Sequence, residues 1–169
     1  MNAPLKHLII DMTKITKNIN SLSEIEFVSI FGSVFEKSKW IANEVFKQKP
    51  FENSQDLINK IIEIFKNCSD EKVLKILNLH PKLAIEKTLT KFSSNEQIGA
   101  QLNTCTKKEL LEFEKLNFDY EKKFQFPFII AVKGKNKNDI LINFKKRINN
   151  DYQSEFREAK TQVCKIALF

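Results

Sequence analysis

Apolar residues recur every three to four positions through most of the chain, which is the period of an amphipathic helix. Leu5, Leu8, Ile9 and Met12 predict a short helix over 5–15. Ser23 with Glu26 forms a capping box, and Ile25, Val28, Phe31, Val34 and Phe35 carry the helix behind it to about Glu36. Trp40, Ile41, Val45 and Phe46 mark another helix, stopped at Pro50 because proline disfavours the helical conformation in the residue before it. Leu57, Ile58, Ile61, Ile62 and Phe65 give a strong stripe ending near Asn67. After Asp70 a shorter one uses Val73, Leu74 and Leu77 and must end by His80, which precedes Pro81. Two further capping boxes follow, Ser93 with Glu96 and Thr106 with Glu109, the second opening a run through Leu110, Phe113, Leu116 and Tyr120. The helical pattern breaks from Phe124 to Val132, an apolar and β-prone stretch in which Pro127 would leave a central sheet ladder unpaired. That stretch reads as a buried extended segment between helices. Asn138 can cap a helix through Ile140, Leu141, Phe144 and Ile148, and a last helix runs from about Ser154 to the end. The pattern predicts an all-α fold: a single-domain bundle of about eight helices over 1–169, with a buried extended segment near 124–132.

Composition agrees. A chain of 169 residues is long enough to bury one sizeable core without disulfide or metal staples. Its 3 Gly and 4 Pro are too few for a β-sandwich or a Gly-rich nucleotide fold. No apolar run is long enough for a membrane span, and Met1 to Asp11 lacks a signal-peptide plan, so a soluble intracellular protein is expected, with no membrane partner. The net charge of +7 rests on lysine spread along the chain, Arg147 and Arg157 being the sole arginines. A nucleic-acid reader clusters arginine on one face, so no nucleic-acid partner is expected. Cys68, Cys105 and Cys164 lack C-x-x-C spacing and only His7 and His80 carry imidazole, so neither a metal site nor a redox pair is expected.

Two places break local rules. His80-Pro81 sets an imidazole at a loop entry among Leu77, Leu79 and Leu83: either a helix-end residue capping carbonyls or a general acid/base with a pKa near the working pH. The stretch Phe126-Pro127-Phe128-Ile129-Ile130 buries backbone N–H and C=O groups that need partners, either neighbouring helix ends or an amide-rich ligand. Ser93 and Glu96 also have two readings, because a capping box accounts for both without chemistry.

Several fragments in order resemble one family. They are Val34-Phe35-Glu36-Lys37-Ser38-Lys39-Trp40-Ile41-Ala42, Lys49-Pro50-Phe51, His80-Pro81-Lys82-Leu83-Ala84, Ser93-Ser94-Asn95-Glu96-Gln97, Leu116-Asn117-Phe118-Asp119-Tyr120 leading into Lys123 to Gly134, and Arg147-Ile148-Asn149-Asn150 with Glu155. Together they resemble the 2-oxo-4-hydroxy-4-carboxy-5-ureidoimidazoline (OHCU) decarboxylases, which yield (S)-allantoin in uric acid degradation. The resemblance implies an all-helical homodimer that needs no cofactor. It places the catalytic groups on His80 and Glu96, and substrate binding on Pro81, Ser93, Gln97, Phe128, Ile129 and Ile130. The chain departs from the family pattern at Lys82 and Ile85, where the family has Asp and Gly, and at Gln101. The family also places a pocket arginine one residue past Phe169, so a chain ending there is expected to bind substrate analogues weakly unless Arg147 or a nearby Lys substitutes. The peroxisomal tripeptide of animal members is missing, which favours the cytoplasm. Two other classes predict different structures: a non-catalytic interaction protein would bury His80 fully with both nitrogens bonded to backbone, and a nucleic-acid module would gather lysine on one face.

Overall fold

The computed structural model describes residues 19–35, 38–83, 100 and 102–168. Among them are seven α-helices, one 3-10 turn and no strand, against the eight or so helices expected. The helix expected over 5–15 lies outside the described residues. No helix among those described is long and apolar enough to cross a membrane. The chain divides into two units, one running to Ile76 and taking in Ala167 onward, the other Leu77–Ile166.

The first unit holds α1 (Glu24–Phe31), α2 (Lys39–Phe46), α3 (Ser54–Asn67) and most of α4 (Asp70–Leu79). The Ser23/Glu26 capping box forms as expected, with Ser23 N–H donating to Glu26 Oε2 at 2.9 Å. Helix α1 then ends five residues before the expected Glu36, at Phe31, where the Gly32 N–H donates to Val28 O at 2.9 Å. Glycine's low helix propensity overrides the continuing apolar period. The period still reports burial correctly, for Phe35 is buried and stacks on Phe65 with centroids 4.8 Å apart. Phe27 centres the unit's core, within 4.6 Å of Phe31, 5.6 Å of Phe46 and 5.7 Å of Phe51. Asn20 fastens the entering chain to Phe51, donating through Nδ2 to its O and accepting its N–H through Oδ1, each at 2.8 Å.

The second unit contains the end of α4, the turn to Leu83, the 3-10 turn Leu102–Thr104, α5 (Lys107–Phe124), α6 (Lys137–Arg147) and nearly all of α7 (Tyr152–Ala167). Helix α5 points Phe113, Asn117, Tyr120 and Phe124 inward, a stripe at helical spacing. Tyr120 sits edge-on to Phe128 and Phe144, and those two rings stack at 3.9 Å. Aromatic burial of this kind is the main stabilising term available to the unit. Helix α6 starts one residue before the expected cap: Asn136, not Asn138, is the N-cap, and its Oδ1 accepts the N–H groups of Asn138 and Asp139 at 2.9 and 3.1 Å. Helix α7 begins at Tyr152, two residues before the expected Ser154, with Asp151 Oδ1 accepting the Ser154 N–H at 2.9 Å. Both shifts come from a side chain just upstream that accepts the first orphan N–H groups.

The N-terminus of α5 is tied by charge as well as by its cap. Glu109 accepts the Thr106 N–H at 2.6 Å and pairs with Lys137 at 2.9 Å, and Lys137 also donates to Thr104 O. Lys137 first, then Thr106, hold the Glu109 carboxyl down to about 2. A carboxylate whose pKa falls on folding stabilises the fold above its unfolded pKa and stops doing so as pH drops through the folded one. The stability gap between the parent chain and Glu109→Gln should therefore be full at neutral pH and close between pH 4.5 and about 2. Melting curves read by far-UV circular dichroism across that window measure it, and a gap that stays constant would contradict the assignment.

Candidate functional site

The question posed by the segment after α5 has a structural answer. Gln125 leaves the helix in the left-handed region, with φ at 61°. From Phe126 to Val132 the chain is then buried and without regular structure, as expected for 124–132, except that Phe124 is still the last residue of α5. Two side chains serve its backbone. Arg147 Nη1 donates to Ile129 O at 2.8 Å, and Gln162 Oε1 accepts the Ala131 N–H at 2.9 Å.

Each of these side chains is itself fixed. Arg147 donates from Nε and Nη2 to Glu155 Oε1, at 2.9 and 2.5 Å, and its guanidinium lies 4.5 Å from the centre of the Phe128 ring. The Tyr120 hydroxyl donates to the same Glu155 oxygen, and Asn150 Nδ2 donates to the other at 2.7 Å. Burial, reinforced by the Glu155 carboxylate, raises the Tyr120 pKa, so the phenol stays protonated and acts as a donor. Gln162 is oriented by Glu158, whose Oε1 accepts its Nε2 at 2.6 Å, leaving the amide oxygen to face Ala131. Glu155 has no exposed surface and Arg147 is 5% exposed, so this ion pair holds only because both charges are paired and hydrogen-bonded.

A planar trans peptide points its C=O and N–H in opposite directions. With Ile129 O turned to Arg147, the Ile130 N–H faces away from it. With the Ala131 N–H turned to Gln162, the Ile130 C=O faces away from that side chain. Neither Ile130 group has a hydrogen-bond partner among the described residues. Among the described residues the segment thus leaves one buried donor and one buried acceptor of a single residue without a partner.

His80 follows directly on α4, its N–H donating to Leu77 O at 3.1 Å. It is half-buried, as is Pro81, so the full burial expected of the interaction-protein reading is not observed. The turn is tied to α5 and its exit at three points: Asn78 Nδ2 donates to Gln125 O at 3.2 Å, Lys82 pairs with Glu121 at 2.7 Å, and Asn117 Nδ2 donates to Leu83 O at 3.1 Å. The Lys82 departure thereby has a physical account, since Glu121 supplies its counter-charge. His80, Pro81, Phe128, Ile129 and Ile130 belong to one unit built around α5. Ser93, Glu96 and Gln97 lie outside the described residues. Among the described residues no group of three His, Cys, Asp or Glu could hold a metal ion.

Arg147 does not serve as the spare cation that sequence reasoning left open, because Glu155 neutralises it and Ile129 takes its remaining face. Sequence reasoning also missed Gln162. Its signal is its place on the inward face of α7, seven residues after Glu155 and beside Ala159 and Val163, where a polar residue needs a buried partner.

Fold and site define an all-α protein in which a half-buried histidine turn and a buried extended segment are both tied to one helix, α5. The OHCU decarboxylase family model matches residues 20–169, and the chain belongs to that family. It is 32% identical over 151 residues to the 2-oxo-4-hydroxy-4-carboxy-5-ureidoimidazoline decarboxylase of Haloferax volcanii, covering 89% of this chain and 90% of that one. It is 40% identical over 153 residues to the uric acid degradation bifunctional protein of Bacillus sp. strain TB-90, covering 90% of this chain but only 30% of that longer protein. Among solved structures it is similar to an OHCU decarboxylase crystallised in the presence of (S)-allantoin, with a TM-score of 0.65 and 27% identity over 76% of this chain and 84% of that one.

The buried pair yields a stability prediction. Glu155→Gln leaves the Arg147 charge buried without its counter-ion and should cost about 3–5 kcal/mol. Replacing both residues with apolar ones, Arg147→Met with Glu155→Leu, removes the buried charge but leaves Ile129 O and the Tyr120 hydroxyl unpaired, so it should recover only part of that loss. Urea titrations of the two variants test this, and a Glu155→Gln protein as stable as the parent would contradict the clamp.

Proposed function

We propose that this chain is a cofactor-independent carboxy-lyase that converts 2-oxo-4-hydroxy-4-carboxy-5-ureidoimidazoline to (S)-allantoin. The observation that carries the reading is that the His80 turn and the Ile130 peptide groups, which have no partner among the described residues, share one scaffold in a chain of this family. The substrate's own chemistry removes the need for a cofactor. When the bond from the hydroxyl-bearing ring carbon to the carboxylate breaks, CO2 leaves and the electron pair flows into the adjacent C=N, so the ring is its own electron sink. The hydroxyl-bearing carbon then becomes a carbonyl by losing its hydroxyl proton, and a proton has to reach the neighbouring ring carbon, the one that bears the ureido group, on one face.

In this reading His80 takes the hydroxyl proton or supplies the final one, and Pro81 stiffens the backbone that aims it. The Ile130 N–H and C=O, with Phe128 and Ile129 beside them, receive the amide groups of the ring and hold its carboxylate out of the conjugated plane. Glu96 accepts from the ureido or ring N–H groups, with Ser93 and Gln97 in support. We further propose that both units act as one domain over 1–169, that two copies associate as a homodimer, and that the protein works in the cytoplasm. Support for the single domain comes from the family match, which spans both units. The nucleic-acid alternative is disfavoured by the lysines, six of which pair with carboxylates on elements of both units: Lys47, Lys60, Lys75, Lys82, Lys137 and Lys145.

The test follows the appearance of optically active (S)-allantoin by circular dichroism from freshly generated substrate. The parent chain should accelerate it. His80→Ala should lower the rate on the order of 10²- to 10⁴-fold, the usual share of a general acid/base, with the far-UV spectrum unchanged. A folded His80→Ala protein with parental turnover would overturn the assignment.

A further inference from the structure

Helix α5 buries one side chain that packing alone does not call for. Asn117 is 2% exposed on the stripe shared with Phe113, Tyr120 and Phe124. A buried amide needs partners for its donors and its acceptor. Asn117 meets that demand in part: Nδ2 donates to Leu83 O at 3.1 Å, while Oδ1 has no hydrogen-bond partner among the described residues. An apolar side chain would fill the stripe without that orphaned acceptor, so asparagine here is a poor choice for stability. The bond to Leu83 is what it gains.

We propose that Asn117 is a positioning residue that sets the His80 turn for catalysis. The turn is held at its start by the His80 N–H on Leu77 O and at its end by Leu83 O on Asn117. Between those anchors lie only Pro81, whose ring fixes its φ, and Lys82. The Lys82–Glu121 bridge also reaches the turn, but both side chains are substantially exposed, and a pair of that kind constrains little. The Asn117 bond is buried and therefore constrains the turn more tightly. One helical turn along, Tyr120 donates to Glu155, which holds Arg147 on Ile129. A single face of α5 thus sets the imidazole at one point and the Ile129–Ile130 peptide at another. The inference rests on the reading of His80 as the acid/base.

Asn117→Leu removes both amide atoms, and Asn117→Asp keeps the shape but loses the donor to Leu83. Both variants should fold, and Asn117→Leu, which removes the orphaned Oδ1 but leaves Leu83 O unpaired, should melt near the parental temperature. Both should lose on the order of 10- to 100-fold in kcat, the cost of misplacing a reacting group, with KM little changed. A second readout is independent of turnover. In a His7→Ala background His80 is the one imidazole left, and its NMR titration should shift in either Asn117 variant. A folded variant with parental kcat and a parental His80 titration would overturn the proposal, and so would a lowered melting temperature with parental kcat. If Asn117→Leu fails to fold, Asn117→Asp decides. If His80 proves dispensable for turnover, the imidazole titration alone still decides whether Asn117 positions it, so the two failures are separable.

Discussion

The second unit depends on one buried ion pair. Arg147 and Glu155 could not be taken out of water singly, and together they are worth little to stability compared with an apolar pair. What they supply is direction. Arg147 has a planar fork of donors, and with two of its nitrogens on Glu155 the third is left aimed at Ile129 O. Tyr120 and Asn150 complete the coordination of the carboxylate, so the pair has few ways to rearrange. The segment from Phe126 to Val132 is neither helix nor strand, and this clamp with Gln162 replaces the hydrogen bonds that regular structure would have given it.

The catalytic proposal follows from how that clamp is mounted. Helix α5 lends Tyr120 to the clamp and Asn117 to the His80 turn, and its exit at Gln125 receives Asn78 from the end of α4. The groups that the proposal sets around a small ring are therefore referred to one rigid element, the arrangement that holds a site to the tolerance chemistry needs. The first unit builds its core separately around Phe27 and Phe65.

Much of this was legible in the chain. Helical periodicity found the elements, and the Ser23/Glu26 and Thr106/Glu109 boxes marked two helix starts correctly because a cap is a local event. Phe35 shows where pattern misleads: its burial was readable, but Gly32 ended the helix first. Asn138 was mistaken for a cap because two asparagines stand two residues apart and only geometry distinguishes them. The buried segment was recognised from Pro127 and its apolar neighbours. Its partners were not, since Arg147 and Gln162 lie 18 and 31 residues away from the atoms they hold and nothing local couples them. His80 stood out as a rule-breaker, whereas Tyr120 passed as one more aromatic in a stripe.

The central claim is that the interior holds one side of the Ile129 to Ala131 backbone and leaves Ile130 to the ligand. Amide NMR during titration with (S)-allantoin measures this directly. The Ile130 N–H signal should move strongly and saturably, while the Ala131 N–H, already bonded to Gln162, moves little. Saturable binding that leaves Ile130 unmoved would contradict the account.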